Sequence, residues 1–464
     1  MGQATALRSS YVAGVAVIDA PRDASLRVRR RIIVAGVIGT TIEFYDFYIY
    51  GTAAVLVFPA LFFPAEDPVA AQLSSLVTFG LAFFARPIGA VAFGHFGDRL
   101  GRHHTLVWAL LVTGMATVLI GCLPTYEAVG VAAPLLLALL RVVQGIGLGG
   151  EWSGAALLSV EDAPADQRGL RGSMPQLGIP LGFLLANGVF LVLTAVMPPD
   201  PSGAASAFEQ WGWRVPFLVS AVLLVVGLLA RLQLTETGEF VAVRSSGAVA
   251  RVPLAQVVRH YPVRIVFGTL ASVATYVLFF LMAVFALSYG TAPTEPGPGQ
   301  KAGLGYDRPM FLGFLLVGIV ATGLLIPIAG RLADRFGRRA VLVPVTVAIA
   351  VFGLLFQPWF GEAAGTLQVV SFVVAGLALM GLSYGPMGAF LTELFPPSVR
   401  YTGSAIVYNV GSVLGASLAP LLALLLWKPD GDIVGVGLYL AGAAVITFAS
   451  LLLLPETTRE DSVE

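Results

Sequence analysis

Two stretches decide the fold: GHFGDRLGRH, residues 94–103, and GRLADRFGRR, residues 330–339. Both read G-x-x-x-D-R-x-G-R, and their aspartates, Asp98 and Asp334, lie 236 positions apart. A second pair follows each: Glu161 and Arg168 are seven apart, as are Glu393 and Arg400, at an offset of 232. A weaker echo sets LTET, residues 234–237, against LPET, residues 454–457. Three pairs in one order, each at the end of an apolar run, argue for a duplicated unit of half the chain.

Outward from these repeats the chain is mostly apolar. Of its 464 residues 57% are apolar and 12% charged, whereas soluble proteins carry roughly 25% charge. A helix needs roughly 20 apolar residues to cross a hydrocarbon core of about 30 Å. Such runs lie near 33–59, 70–96, 105–123, 131–158, 172–197, 212–231, 263–289, 309–330, 340–357, 366–392, 402–427 and 433–454. The period-two alternation of a membrane barrel is not visible. The expected fold class is therefore all-α integral membrane, twelve spans in two pseudo-symmetric six-helix bundles. The boundaries read as an N-terminal segment 1–31, a first bundle 32–231, a linker 232–262, a second bundle 263–454 and a tail 455–464.

The formal net charge is zero and points to no nucleic-acid partner, but the charges are unevenly placed. Most arginines fall in 22–31, 98–104, 161–171, 231–264, 331–339 and at 400, while the opposite loops hold little beyond Lys301, Arg308 and Lys428. The positive-inside rule then expects both termini in the cytoplasm, beneath a plasma (inner) membrane. Cys122 is the single cysteine, which leaves no disulfide framework within the chain. The first thirty residues show no short apolar core with a small-residue cleavage site, so no cleaved signal peptide is expected.

Several apparent signals fail on context. GIGLGG, residues 145–150, fits G-x-G-x-x-G but lies within an apolar span, without the preceding strand a dinucleotide site needs. Its glycines are read as allowing close helix contact. There is no G-x-x-x-x-G-K-[ST], and His95, His103, His104 and His260 show no metal-ligand arrangement. With no assembled nucleophile, base or metal set, the chain does not read as an enzyme, and no cofactor or metal is expected.

The chemistry lies in charges within the spans. GTTIEFYDFYIYG, residues 39–51, places Glu43, Asp46 and Tyr50 at i, i+3 and i+7, along one stripe of the first helix. Arg86 lies in the second span, Arg141 in the fourth, and Glu151 about three turns beyond Arg141. A charge at the bilayer centre costs at least roughly 2.5 to 3.5 kcal/mol, so each should face the bundle interior and find a partner. Carboxylate–arginine pairing is expected among Glu43, Asp46, Arg86 and Arg141. Burial makes a carboxylate hold its proton and a neighbouring arginine opposes that, so a carboxylate whose arginine partner moves can load and release a proton. Asp46 with Glu43 is the candidate proton-coupling pair; a static ion pair that fixes helix packing is the other reading. Arg141 is the preferred anchor for a carboxylate because its planar fork suits a bidentate partner, with Arg86 as a second. Gln176, Asn187, Ser272, Tyr276, Tyr384 and Asn409 are polar groups that could complete a central cavity or serve only as interhelical hydrogen bonds.

The twin loops resemble the signature of the major facilitator superfamily, and the resemblance covers nearly the whole chain. A narrower likeness joins GTTIEFYDFYIYGTAA (39–54), FFARPIGAVAFGHFGDRLGR (83–102), RVVQGIGLGGEW (141–152) and WGWRVPF (211–217) to the metabolite:proton symporter family. That resemblance implies import, with protons, of small carboxylates or zwitterions such as shikimate, 2-oxoglutarate, citrate, proline or betaines. The Glu-x6-Arg pairs are similar to those of sugar porters, where they belong to cytoplasmic gates. The resemblance thus implies gating by Asp98, Arg99, Arg102, Glu161 and Arg168 in one half and Asp334, Arg335, Arg338, Glu393 and Arg400 in the other. Sugar-porter signatures are absent from the seventh span, and about ten residues follow Leu454, so neither a hexose substrate nor an osmosensory coiled coil is expected.

The expected function is a proton-coupled secondary active importer, working as a monomer in the lipid bilayer on a small organic acid or a zwitterion. A proton-linked antiporter or efflux carrier on the same fold is the alternative, and a transporter-like receptor a remote one.

Overall fold

The computed structural model describes residues 22–65, 68–100, 102–161, 163–198, 206–232, 253–297, 299–396 and 399–458. Twelve long helices run through the described residues. They are α1 (Arg22–Leu56), α2 (Pro68–Leu100), α3 (Arg102–Gly121), α4 (Ala132–Leu148 continued as Trp152–Glu161), α5 (Ala165–Val196) and α6 (Gly212–Leu232) in the first half. The second half holds α7 (Pro262–Thr291), α8 (Arg308–Phe336), α9 (Arg338–Leu354), α10 (Thr366–Glu393), α11 (Arg400–Leu426) and α12 (Val434–Leu453). The helix ends depart from the sequence reading in places: α1 begins at Arg22 and a short helix, Phe58–Phe62, follows it. The linker carries a helix of its own, Pro253–His260. An even number of long helices returns the start of α1 and the end of α12 to one side, which also carries the α8–α9 turn; we refer to it as the basic end.

The faces turned outward are apolar. Leu135, Leu139, Val222, Val225, Leu324 and Val445 are all exposed, a pattern that suits hydrocarbon rather than water as the solvent. Inward, the glycines behave as their spacing suggests. A β-carbon on Gly145 would collide with the Ala82 carbonyl, and one on Gly149 with the Arg86 carbonyl, so α4 meets α2 backbone to backbone. The glycine that turns α8 into α9, Gly337, sits at φ 109°, a conformation open to glycine at little cost.

The bundles meet along α5 against α8 and α10, α2 against α11, and α4 against α10 and α11, with α1 touching α7. Both α7 and α11 carry a π-turn, at Leu281–Phe285 and Val413–Ser417, where they face α1 and α2. Such turns mark sites where a helix departs from regular hydrogen bonding.

Candidate functional site: a cavity between the bundles and the buried charges behind it

Between the bundles lies a small cavity of about 20 Å3, walled by aromatic rings, by the hydroxyl-bearing Tyr48, Tyr276, Tyr384 and Tyr408, and by Arg86. At that size it holds no organic substrate. The Tyr384 and Tyr408 hydroxyls lie 3.2 Å apart, and the Tyr408 ring stacks on Trp152 of α4 at 3.6 Å, nearly parallel. The Tyr48 hydroxyl and Arg86 Nε have no hydrogen-bond partner among the described residues. Unmet polar atoms in a buried wall are costly unless something fills them.

Among the described residues, Arg86 is the one cation in that wall. Its NH2 donates to Glu43 Oε1 at 2.9 Å, and both side chains are almost fully enclosed. Glu43 lies behind Arg86 and lines a second cavity of about 40 Å3 inside the first bundle, together with Thr40, Glu151, Ser159 and Arg231. There Arg231 forks onto Glu151, NH1 to Oε1 at 3.1 Å and NH2 to Oε2 at 3.3 Å.

Asp46 takes a different partner from the one the sequence suggested. Its Oδ1 accepts from Ser220 of α6 at 2.6 Å, and the Thr117 hydroxyl lies beside it. Gln144 Nε2 donates to Thr117 Oγ1 at 2.9 Å, and Arg141 NH1 donates to Gln144 Oε1. Arg141 is therefore joined to Asp46 through two neutral side chains. Its NH2 donates to the Phe79 carbonyl at 2.7 Å, and its guanidinium lies 3.9 Å from the centre of the Tyr50 ring. Of the four charges expected to pair with one another, Glu43 and Arg86 do so. Asp46 and Arg141 are instead held by hydroxyls, an amide and a carbonyl, and Arg141 Nε has no hydrogen-bond partner among the described residues.

The structure brings Arg86, Tyr276 and Tyr384 to the cavity between the bundles. It places the other candidates elsewhere. Asn187 accepts from Thr52 at 2.7 Å and ties α5 to α1, while Asn409 donates to Ala405 O within α11. Ser272 likewise donates to Thr269 O of its own helix. Gln176 spans the bundle interface: with its amide turned to satisfy both neighbours, it accepts from Gly388 N at 2.8 Å and donates to the Tyr384 carbonyl. Tyr408 in the cavity, and Ser220, Thr117, Gln144 and Arg231 behind it, are residues that the sequence does not single out for the site. Arg231 ends an apolar run and so reads as a topology anchor, and Gln144 sits one turn from Arg141, the only local hint available.

At the basic end the second-half motif forms a tie across the bundles. Asp334 accepts the backbone N–H of Gly169 at 2.7 Å and of Leu170 at 2.8 Å, at the start of the helical stretch that opens α5. Arg338 binds Asp334 at 2.8 Å and forks onto Glu393, at 3.2 and 3.1 Å. Thr457 Oγ1 donates to Glu393 Oε2 at 2.8 Å, and Glu456 accepts the N–H groups of Arg338 and Arg339 at the start of α9. Burial alone would raise the Glu456 carboxyl, but hydrogen bonds from Thr458, Arg338 and Arg339 outweigh it and hold the group below its ordinary value. Arg400 Nε reaches the Phe395 carbonyl at 3.1 Å, and Arg335 lies 5.2 Å from the Phe336 ring centre. Arg168 Nε has no hydrogen-bond partner among the described residues. The side chains of Asp98, Arg99, Arg102 and Glu161 lie outside the described residues.

Comparison with known proteins agrees with this architecture. The family model described as "Sugar (and other) transporter" matches residues 32–264, and that of the Major Facilitator Superfamily matches residues 301–464. The inner membrane metabolite transport protein YhjE of Escherichia coli is 49% identical over 93% of this chain and 95% of its own. The shikimate transporter of Escherichia coli is 37% identical over 94% of this chain and 96% of its own. A solved structure of the xylose transporter XylE from Escherichia coli, in a partially occluded inward-open conformation, matches with a TM-score of 0.70 at 18% identity. It covers 94% of this chain and 99% of that one, and its likeness extends to the fold alone. Two family models along the chain, and a relative nearly half identical to it, place this chain in the major facilitator superfamily as a multi-pass transporter of metabolites and not an enzyme.

Proposed function

We propose that the protein imports a small organic acid together with a proton, from outside the inner membrane to the cytoplasm, with the basic end and both termini on the cytoplasmic side. The observation that carries this reading is the Arg86–Glu43 pair at the wall of the cavity between the bundles. A guanidinium facing a buried, largely aromatic cavity is a natural seat for a substrate carboxylate. It cannot hold two carboxylates there cheaply, because like charges in a poorly solvated site repel strongly. Substrate that takes Arg86 therefore leaves Glu43 to be neutralised by a proton. Acid anion and proton travel together, and when both have left toward the cytoplasm Glu43 pairs with Arg86 again.

The tyrosine hydroxyls around the cavity suit the hydroxyl or carbonyl groups of such an acid, and a relative whose name is shikimate transporter supports the substrate class. Alternating access requires the tie at Asp334 to open. Asp46, held by a hydroxyl and not by a guanidinium, acts as a second carboxyl behind the site. The protein is proposed to work as a monomer.

The test is uptake of labelled shikimate, 2-oxoglutarate, citrate, proline and betaine into proteoliposomes, with and without an inward proton gradient. Accumulation of an acid only with the gradient is the expected result. Efflux that needs the opposite gradient, with no accumulation of any acid, would replace symport by antiport.

A further inference from the structure

We propose that Glu151 is the carboxylate through which the proton leaves Glu43 for the cytoplasm, by a route inside the first bundle that the substrate does not share. This rests on the proton-coupled reading above. The two cavities carry the argument. The one between the bundles is lined by Arg86, and the one within the first bundle is lined by Glu43, Glu151 and Arg231. Glu43 thus stands between the substrate's side and a separate polar chamber, with Arg86 as the partition. The inner chamber, at about 40 Å3, exceeds the roughly 10 to 15 Å3 that one water needs, and it offers the several polar partners a water requires.

Its walls run toward the basic end. Ala35 and Gly36 precede Glu43 on α1, and Ala155 and Ser159 follow Glu151 on α4. Glu151 lies where α4 is interrupted between Leu148 and Trp152. Among the described residues, the charged groups around it are Arg231 from α6 and Glu43 from α1, with Asp46 of α1 also close enough to feel its charge and Arg86 of α2 beyond Glu43. From α11 the Tyr401 hydroxyl donates to the neighbouring Gly150 carbonyl at 3.3 Å, so the second bundle touches the interruption directly. From α3 the Leu106 carbonyl accepts from Arg231.

The transfer balances without any further reactant. The Glu43 acid gives its proton to a water in the chamber, and that water gives one to the Glu151 carboxylate. Glu43, now anionic, re-forms its pair with Arg86, while Glu151, now neutral, loosens from Arg231. Glu151 then yields the proton to cytoplasmic water and takes Arg231 back. Each carboxylate has its own guanidinium, so neither is left charged and unpaired in the bundle interior.

The experiment uses the reconstituted full chain, an internal pH dye, and the acid that the uptake panel shows to accumulate. Glu151→Gln should lower gradient-driven accumulation and acid-coupled internal acidification by about tenfold or more. Counterflow, which needs no net proton release, should stay within about twofold of the unaltered protein, and Glu151→Asp should recover part of the coupling. Normal acidification in Glu151→Gln would overturn the relay. So would an equal loss of counterflow and accumulation in folded Glu151→Gln and Glu151→Asp alike, which would mean the Glu151–Arg231 pair serves packing. If the unaltered protein carries acid with no acidification, the proton-coupled reading itself fails, and that is seen before any variant is made.

Discussion

Asp334 of α8 holds the start of α5 through the N–H groups of Gly169 and Leu170, so at the basic end a carboxylate on a helix N-terminus ties one bundle to the other. The partner of Asp334 across the bundles is backbone and not the neighbouring Arg168 side chain, which the family resemblance implies in gating. Hydrogen bonds to an ionised acceptor contribute roughly 1.5 to 3 kcal/mol each. Asp334→Asn, which keeps the shape and loses the charge, should shift the molecule toward opening at this end. Ser173 lies buried against Gly330 at that contact. In a Cys122→Ser background, Ser173→Cys should therefore react with a water-soluble thiol reagent several times faster once Asp334→Asn is added; unchanged labelling would show that the tie does not govern opening.

Arg86 and Arg141 should separate in kinetics. Arg86 faces the cavity, whereas Arg141 spends its fork on Gln144 and the Phe79 carbonyl and lies over Tyr50. Arg86→Lys should raise KM for the acid by about tenfold, since an ammonium cannot reproduce the planar fork. Arg141→Lys should lower the Tm of the purified protein while KM changes by less than about threefold. A larger KM effect at Arg141 would move the substrate anchor to α4.

The tail should act as a cap on α9. Glu456 takes two N–H groups at the start of that helix, and a side-chain cap of this kind contributes roughly 1 kcal/mol. Because the folded group is held below its ordinary value, its stabilisation is full above the unfolded carboxyl pKa of about 4.3 and fades as pH falls through the lower folded value. Glu456→Gln should therefore lower Tm at pH 7, and the gap between the two proteins should narrow below about pH 4. A gap that is constant across that range would remove the charge from the explanation.

The duplicated motif and twelve apolar runs made the architecture legible, because length and hydropathy are properties of each segment alone. The buried charges were legible as a set for the same reason: a charge inside an apolar run stands out. Their partners were not. Ser220 lies 174 positions from Asp46 and Arg231 lies 80 from Glu151, and nothing in a single sequence reports which helix faces which. Arg141 looked like a free anchor because the Phe79 carbonyl that occupies it is backbone and has no letter of its own. Tyr408 was missed because tyrosine within a span is unremarkable until Trp152, Tyr276 and Tyr384 are found around it.

Glu43 and Asp46 share a helix face yet should respond differently to neutralisation. Glu43 has a cation as its partner, and its charge state decides whether Arg86 is free for substrate. Glu43→Gln should therefore abolish gradient-driven accumulation, while counterflow persists because Arg86 remains available. Asp46 is held by the Ser220 hydroxyl at 2.6 Å, and an asparagine carbonyl can accept the same hydrogen bond. Asp46→Asn should slow transport by about three- to tenfold and leave the steady-state accumulation ratio near that of the unaltered protein. The ratio is the decisive reading, because it reports coupling and not speed. If Asp46→Asn collapses the ratio and Glu43→Gln leaves it intact, the proton is carried on the Asp46 side of the helix and the competition for Arg86 is not the coupling step.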